Sequence, residues 1–364
     1  MVKFQDRGIK KIVIIGIILI SIISSVVILI GVNNIYYGGN NEWEPWPNIP
    51  GLGVGSVVFN RSPVNEEDYT YFFPLGHLGA PEHPIPTDHT YFVRNSTQTD
   101  NFSVYVPADG YIINIHKSVS SYVEYSILIM HTNTFMSWIG SIKYLNSSLI
   151  KEYEKSEEVN SLRIRVKTGD ILGETDVNVD WGVYDKQVTL DFINPDILGS
   201  YTVHAVCPAE YCNQTLKNIL YSRVYRVTPP LSGKIDYDMP GRLVGVWFLK
   251  GLTDTMNDPD ATEKELSFVY DMYNGSKISI AFGGILNIPA INYFVINNTP
   301  DPETITVESG KIVYYLQGTS EFGNQDINAT MVVQMIDNRT IKVEGFNGIV
   351  SSPSFTTDAK IYYR

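Results

Sequence analysis

The sequence predicts a mainly β protein held at a membrane by one N-terminal transmembrane helix. Three observations carry this reading: a single long apolar run near the start, basic residues gathered just before it, and short Val-, Ile-, Tyr- and Phe-rich runs separated by turn residues through the rest. The order expected is a cytoplasmic tail over residues 1–11, a transmembrane helix over 12–32, a linker over 33–66, a β-sheet domain over 67–227 and an antiparallel β-barrel or sandwich over 228–364.

Residues 12–32 read IVIIGIILISIISSVVILIGV, with no charge and three serines as the only polar side chains. At about 1.5 Å rise per residue such a helix is about 32 Å long, which matches a hydrocarbon core of about 30 Å. Lys3, Arg7, Lys10 and Lys11 precede it against one acid, Asp6. The positive-inside rule leaves that tail cytoplasmic and sends the remainder outward, as a single-pass protein of the cell membrane. A cleaved signal peptide is the rival, but its apolar core is usually shorter, and GVNNIYYGG lacks an A-x-A cleavage pattern.

The net charge is −12, and the tail is basic, so the expected ectodomain is still more acidic. An acidic surface of this size repels phosphate backbones, which excludes nucleic acid as a partner class. Cys207 and Cys212 in CPAEYC are expected to form a local disulfide in an oxidising compartment. Glycosylation sequons begin at Asn60, Asn95, Asn101, Asn146, Asn213, Asn274, Asn297, Asn328 and Asn338. All lie beyond the apolar run, so they agree with an extracellular glycoprotein and should occupy the surface.

Residues 33–66 are rich in Gly, Pro and Asn and read as a linker, with Trp43 and Trp46 expected to pack on the first domain. From 67 to 227 the runs YTYFF, TYFV, FSVYV, YIINI, YSILIMH, LRIRV and VDWGVYD read as strands, and residues 144–158 as a solvated helix. The turn-rich TPPLSG at 228–233 marks a boundary. Beyond it LVGVWFL, LSFVYDMY, KISIAFGGIL, INYFVIN, ETITVES, KIVYYLQG, NATMVVQMID, RTIKVEGF and DAKIYYR read as strands joined by hairpins, which suits a barrel or sandwich.

The chemistry concentrates in residues 76–92, GHLGAPEHPIPTDHTYF, which hold His77, His83 and His89 beside Glu82 and Asp88. Imidazole and carboxylate together suit zinc or another divalent ion, and Pro81, Pro84 and Pro86 would stiffen the loop. The alternative is a Pro-rich loop with surface histidines. Asp176, Asp180, Asp185 and Asp191 share one region, but spacing alone cannot place two of them across a cleft as glycosidase chemistry demands. G-x-S-x-G, H-E-x-x-H, P-loop and dinucleotide fingerprints are absent.

The order of segments over residues 70–195 resembles a lysostaphin/LytM-type zinc metallopeptidase domain, a duplicated-hybrid-motif β fold. VYVPADGYIINI resembles the family's V-x-A-x-x-D-G-x-V strand and turn, YSILIMHTNT its strand ending in a non-ligand histidine, and VKTGDILGET its V-x-x-G-x-x-I-G hairpin. The stretch around His89 falls where the family has H-x-x-x-D, and VNVDWGVYD where it has H-L-H-F-E-V. The resemblance maps His89 and Asp180 onto metal-ligand positions, with His83 and Asp88 as further candidates. The chain also departs from the pattern. Val93 stands four places after His89, Thr87 four places after His83, Asn178 and Asp180 replace H-x-H, and FMSWIGSI after His131 lacks the catalytic histidine. The resemblance therefore implies the fold, and a member acting as a binding or scaffold module toward envelope glycan, peptide or a surface protein. The alternative it leaves is a divergent zinc-dependent hydrolase. In the C-terminal part, Gly245 and Trp247 carry the G-x-W of lipocalin-like barrels. That motif is also what a core Trp at a strand start produces, and its functional reading is a small-ligand carrier.

Overall fold

Eleven strands build the N-terminal half of the described chain: β1 (Tyr69–Phe73), β2 (Thr90–Arg94), β3 (Phe102–Tyr105), β4 (Gly110–Val119), β5 (Val123–Thr132), β6 (Phe135–Ile142), β7 (Tyr144–Leu145), β8 (Ile164–Val166), β9 (Ile171–Thr175), β10 (Val179–Asp185) and β11 (Ala205–Val206). The computed structural model describes residues 46–97, 100–119, 123–155, 162–319 and 326–364. The expected tail, transmembrane helix and residues 33–45 of the linker, Trp43 included, lie outside them. Among the described residues no helix is long and apolar enough to cross a membrane.

One sheet runs in the order β1-β2-β10-β6-β5-β4-β8, with β11 also on β10, and a second in the order β3-β9-β7. β10 pairs with both β2 and β6, so its run VDWGVYD is buried along almost its whole length. Phe59, Phe72, Phe92, Phe135 and Trp181 are fully buried in the core beneath it. Each such side chain contributes roughly 1.5–3 kcal/mol of burial free energy. Phe59 comes from the expected linker. Trp46, Ile49 and Val64 are buried in the same core, and Phe59 N donates to Tyr211 O at 2.8 Å. Residues 46–66 are thus part of the domain body: their apolar side chains find a core to enter, and backbone bonds hold them there.

Two helices flank the sheets, α1 (Ser147–Lys155) and α2 (Gln214–Ser222). α1 begins later than the sequence suggests, because Tyr144–Leu145 is taken up as β7 and Asn146 Oδ1 accepts from Ser148 N at 2.9 Å. α2 starts where Asn213 Oδ1 caps Leu216 N at 2.9 Å. Cys207 and Cys212 bracket a 3-10 turn, Pro208–Tyr211, and are free thiols where a cystine was expected. The turn gives each its own surroundings: Cys207 is buried, and Cys212 Sγ donates to the Pro208 carbonyl at 3.4 Å.

The second half is a closed eight-stranded antiparallel barrel: β12 (Gly245–Leu249), β13 (Glu265–Tyr270), β14 (Ile278–Phe282), β15 (Tyr293–Val295), β16 (Lys311–Thr319), β17 (Asp326–Asp337), β18 (Thr340–Asn347) and β19 (Lys360–Tyr363). Each strand pairs with the next, and β12 closes on β19 through Phe248↔Tyr363 and Leu249↔Tyr362. The expected strand at ETITVES is instead two 3-10 turns, Pro302–Thr304 and Val307–Ser309. Asp301 caps the first and a Thr306–Ser309 capping box closes the second, so local bonds displace the ladder that alternation alone favours.

The barrel interior is filled by side chains. Trp247, Phe268, Tyr293, Tyr314 and Tyr362 are all fully buried in one apolar cluster. Arg364 closes one end. Its guanidinium lies 4.1 Å from the Trp247 ring centroid, donates to Val244 O at 2.6 Å and Met239 O at 2.8 Å, and pairs with Asp238 at 3.5 Å. Gly245 has φ +121° and sits directly under this pair, so a Cβ there would collide with Asp238 Oδ1. The glycine of G-x-W is thereby explained by close approach of an ion pair.

The outer wall of the barrel carries the first half. Val246 and Phe248 pack with Ile197, Leu198 and Ile85, and Val244, Val269 and Ala281 pack with Leu78. The loop that holds the histidines is therefore clamped between the first sheet and the barrel.

Candidate functional site

The loop from β1 to β2 folds back on itself. Gly76 N donates to Thr87 O at 3.0 Å, Thr87 N to His77 O at 3.0 Å, and Gly79 and His83 exchange backbone bonds at 2.9 and 2.8 Å. Its tip is tied to the barrel, where Asn292 Oδ1 accepts from Ala80 N at 3.0 Å and Asn292 Nδ2 donates to Leu78 O. Ser267 Oγ donates to Pro84 O at 2.7 Å. This double ladder brings His77 and His83 near each other and delivers His89 to the start of β2.

β2, β10 and β6 then assemble one face. Asp180 pairs with Tyr91 on one side and Gly140 on the other, and Gly182 pairs with Trp138. Period-two alternation puts His89, Tyr91, Trp138, Asp180 and Tyr184 on that face. Gly140 and Gly182 make room there. A Cβ at Gly140 would meet the Trp138 ring at 2.6 Å and Asp180 Oδ2 at 2.8 Å, and one at Gly182 would meet Tyr184 Oη at 2.8 Å.

His89 is the hub. Its Nδ1 lies 3.0 Å from Asp88 Oδ1, and its ring centroid is 4.8 Å from Tyr91, 5.1 Å from Trp138 and 6.0 Å from His83. Asp88 Oδ2 accepts from Thr202 Oγ1 at 2.6 Å. Burial opposes charge on both partners. The mutual hydrogen bond and charge outweigh it, raising the His89 pKa and lowering that of Asp88. The two form an ion pair. Asp180 adds a second negative neighbour, its own pKa raised by burial against the pull of His89 and Ser141. Its Oδ2 accepts from Ser141 Oγ at 2.8 Å. Ser141 has φ +63°, a left-handed conformation that a β-bulge between β5 and β6 imposes.

The other two histidines stay neutral. Burial, then the nearby His83 and His89, pull His77 down to about 4. His83 sits exposed at the rim, and the face it turns toward the protein, together with His89, lowers its pKa as well. His131, the non-ligand histidine of the resemblance, is buried in the core. Its Nδ1 contacts Asp109 O at 2.9 Å and its Nε2 contacts Ser137 Oγ at 2.8 Å, which is a structural role.

Of the four ligand candidates, His89, Asp88 and Asp180 adjoin one another and His83 stands at their edge. An imidazole oriented by a carboxylate is how zinc-bound histidines are commonly held. A zinc site also needs three or four donors aimed at one point. Among the described residues no three His, Cys, Asp or Glu side chains do so. Asp88 turns its oxygens to His89 and Thr202 and Asp180 turns Oδ2 to Ser141, so these donors are not aimed at a common ion and do not fit a zinc site as they stand.

Sequence reasoning left out Tyr91, Trp138, Ser141 and the place of His77. Trp138 stands in FMSWIGSI, noted only for the histidine it lacks, and it covers His89 instead. The small residues Gly140, opposite Asp180, and Gly182, opposite Trp138, were the available signal.

The nine sequon asparagines are all at least partly exposed. Asn213 Nδ2, the atom a glycan would take, already donates to Asn60 Oδ1 at 2.9 Å. No protein-family model matches this chain, and no curated protein matches it either.

Proposed function

We propose that the chain is a single-pass, membrane-anchored surface protein whose LytM-like N-terminal half serves as a binding or scaffold module of the cell envelope. The observation that carries this reading is how the carboxylates beside His89 are engaged. Asp88 engages one oxygen with His89 Nδ1 and the other with Thr202, Asp180 accepts from Ser141, and Trp138 packs on His89. A hydrolase of the resembling family needs a metal-bound water and a free base at that place. The packed barrel interior likewise favours a structural role for the second half over carriage of a small ligand in its lumen. The apolar run at residues 12–32 and the sequons supply the expectation of an anchored, outward-facing protein.

The test is co-sedimentation of the full chain, kept in a polyoxyethylene detergent, with isolated envelopes of the cells that make it. The expected result is saturable binding that a metal chelator leaves unchanged, with no soluble peptide or sugar fragments released. Absence of binding, or chelator-sensitive release of fragments, overturns the reading.

A further inference from the structure

A groove of about 310 Å³ opens between the first sheet and the outer wall of the barrel. Small-molecule sites occupy roughly 300–1,000 Å³, so it can hold a compact ligand. Phe73 and Tyr225 form one wall, stacked with ring centroids 4.8 Å apart, and Tyr273 leans on Tyr225 at 4.8 Å. Tyr273 and Phe294 are 42% and 41% exposed, and the Lys277 ammonium lies 5.5 Å from the Phe294 ring centroid. Partly exposed aromatic side chains in a concave site suit a ligand with an apolar face.

The polar groups are few. Asp271 and Lys277 oppose each other in charge, and His77 enters from the histidine loop. The His77 imidazole makes no hydrogen bond to protein among the described residues, and burial keeps it neutral. It is a donor and an acceptor without a partner at the inner end of the groove.

The backbone excludes an extended peptide added as a strand. The outer edge of β1 is already taken, with Phe72 N on Arg223 O at 2.9 Å and Tyr225 N on Phe72 O at 2.8 Å. β14 and β15 are paired on both sides in the closed barrel. β-Augmentation therefore has no edge to use. The chain's net charge of −12 repels polyanions, and Asp271 with Lys277 leaves the groove balanced. What remains is a neutral ligand with flat apolar faces and a rim of hydroxyls, which describes a pyranose ring.

We propose that this groove binds a neutral saccharide chain, whose rings stack on Tyr273 and Phe294 while hydroxyls bond Asp271, Lys277 and His77. This names the ligand class for the envelope-binding role above and rests on that reading.

The experiment is calorimetric titration of the full chain, in the same sugar-free detergent, with cellotetraose, mannotetraose and chitotetraose. At least one should bind. The Tyr273→Ala/Phe294→Ala double variant should lose roughly tenfold or more in affinity at unchanged Tm, the scale expected when stacking rings are removed. Lys277→Met, an exposed position that leaves the fold intact, should weaken the same ligand if the double variant unfolds. Binding unaffected by these variants, or a peptide bound in the groove in place of all three sugars, overturns the assignment. If the chain sediments with envelopes yet binds none of the tetraoses, the saccharide assignment fails while the envelope-binding role stands.

Discussion

Glu265→Gln should stabilise this protein, and by an amount that depends on pH. Glu265 begins β13 opposite Phe248, on the barrel wall that receives Ile197 and Leu198. It is only 5% exposed, and burial pushes its pKa from 4.5 up to about 8. No cation offsets the burial. A carboxyl with a raised folded pKa holds its proton in the folded state through a window where the unfolded chain has released it. Stability is therefore untouched below about pH 4.5, falls as pH rises toward 8, and levels off beyond. Each pH unit in that window costs about 1.4 kcal/mol, so the cost near pH 7 is on the order of 3 kcal/mol. Gln keeps the shape and never ionises. Chemical denaturation of wild type and variant at pH 4.5, 6, 7 and 8 should give a difference near zero at the lowest pH, growing to that size at neutrality. A difference that stays flat with pH refutes the reasoning, because it would mean that Glu265 ionises in the folded state as freely as in water.

Arg364→Leu removes one partner of a fully buried ion pair and the cation over Trp247; breaking such a pair costs roughly 3–5 kcal/mol, so Tm should fall by on the order of 10 °C in calorimetry. For His89, whose pKa is raised by Asp88, the ion pair's stabilisation is full below the ordinary imidazole value of about 6.5 and is lost as pH climbs through the folded value. Asp88→Asn should move the His89 titration, followed by NMR of its ring protons, to below that ordinary value. Both thiols should remain countable after unfolding without reductant, and alkylation of Cys212 in the folded state should be slow at pH 8, since burial pushes its pKa up to about 12.

The barrel was legible because ISIAF, KIVYYL and RTIKVEG alternate or run apolar between turn residues, and meander pairing of neighbours follows from short connections. ETITVES alternates equally well and is not a strand, because Pro302 and the caps at Asp301 and Thr306 satisfy its backbone locally. Residues 46–66 read as a linker from their Gly and Pro content, yet Trp46, Ile49, Phe59 and Val64 reach a core that lies far away in sequence. The histidine loop stood out by composition. Its partners did not: Trp138 and Asp180 meet His89 only through the pairing of β2 with β10 and of β10 with β6, contacts that span tens of residues and leave no local pattern. The spacing of Cys207 and Cys212 suggested a bridge, and the turn between them gives each thiol its own surroundings.

The central claim is that the contacts Asp88–His89–Thr202 and Asp180–Ser141 are structural and do not form a metal centre. Elemental analysis of the full chain, exposed to zinc and then dialysed, tests it directly, with the His89→Ala/Asp180→Ala variant alongside. The account expects no stoichiometric zinc in either protein. About one equivalent of zinc in the wild type, lost in the variant, would contradict it.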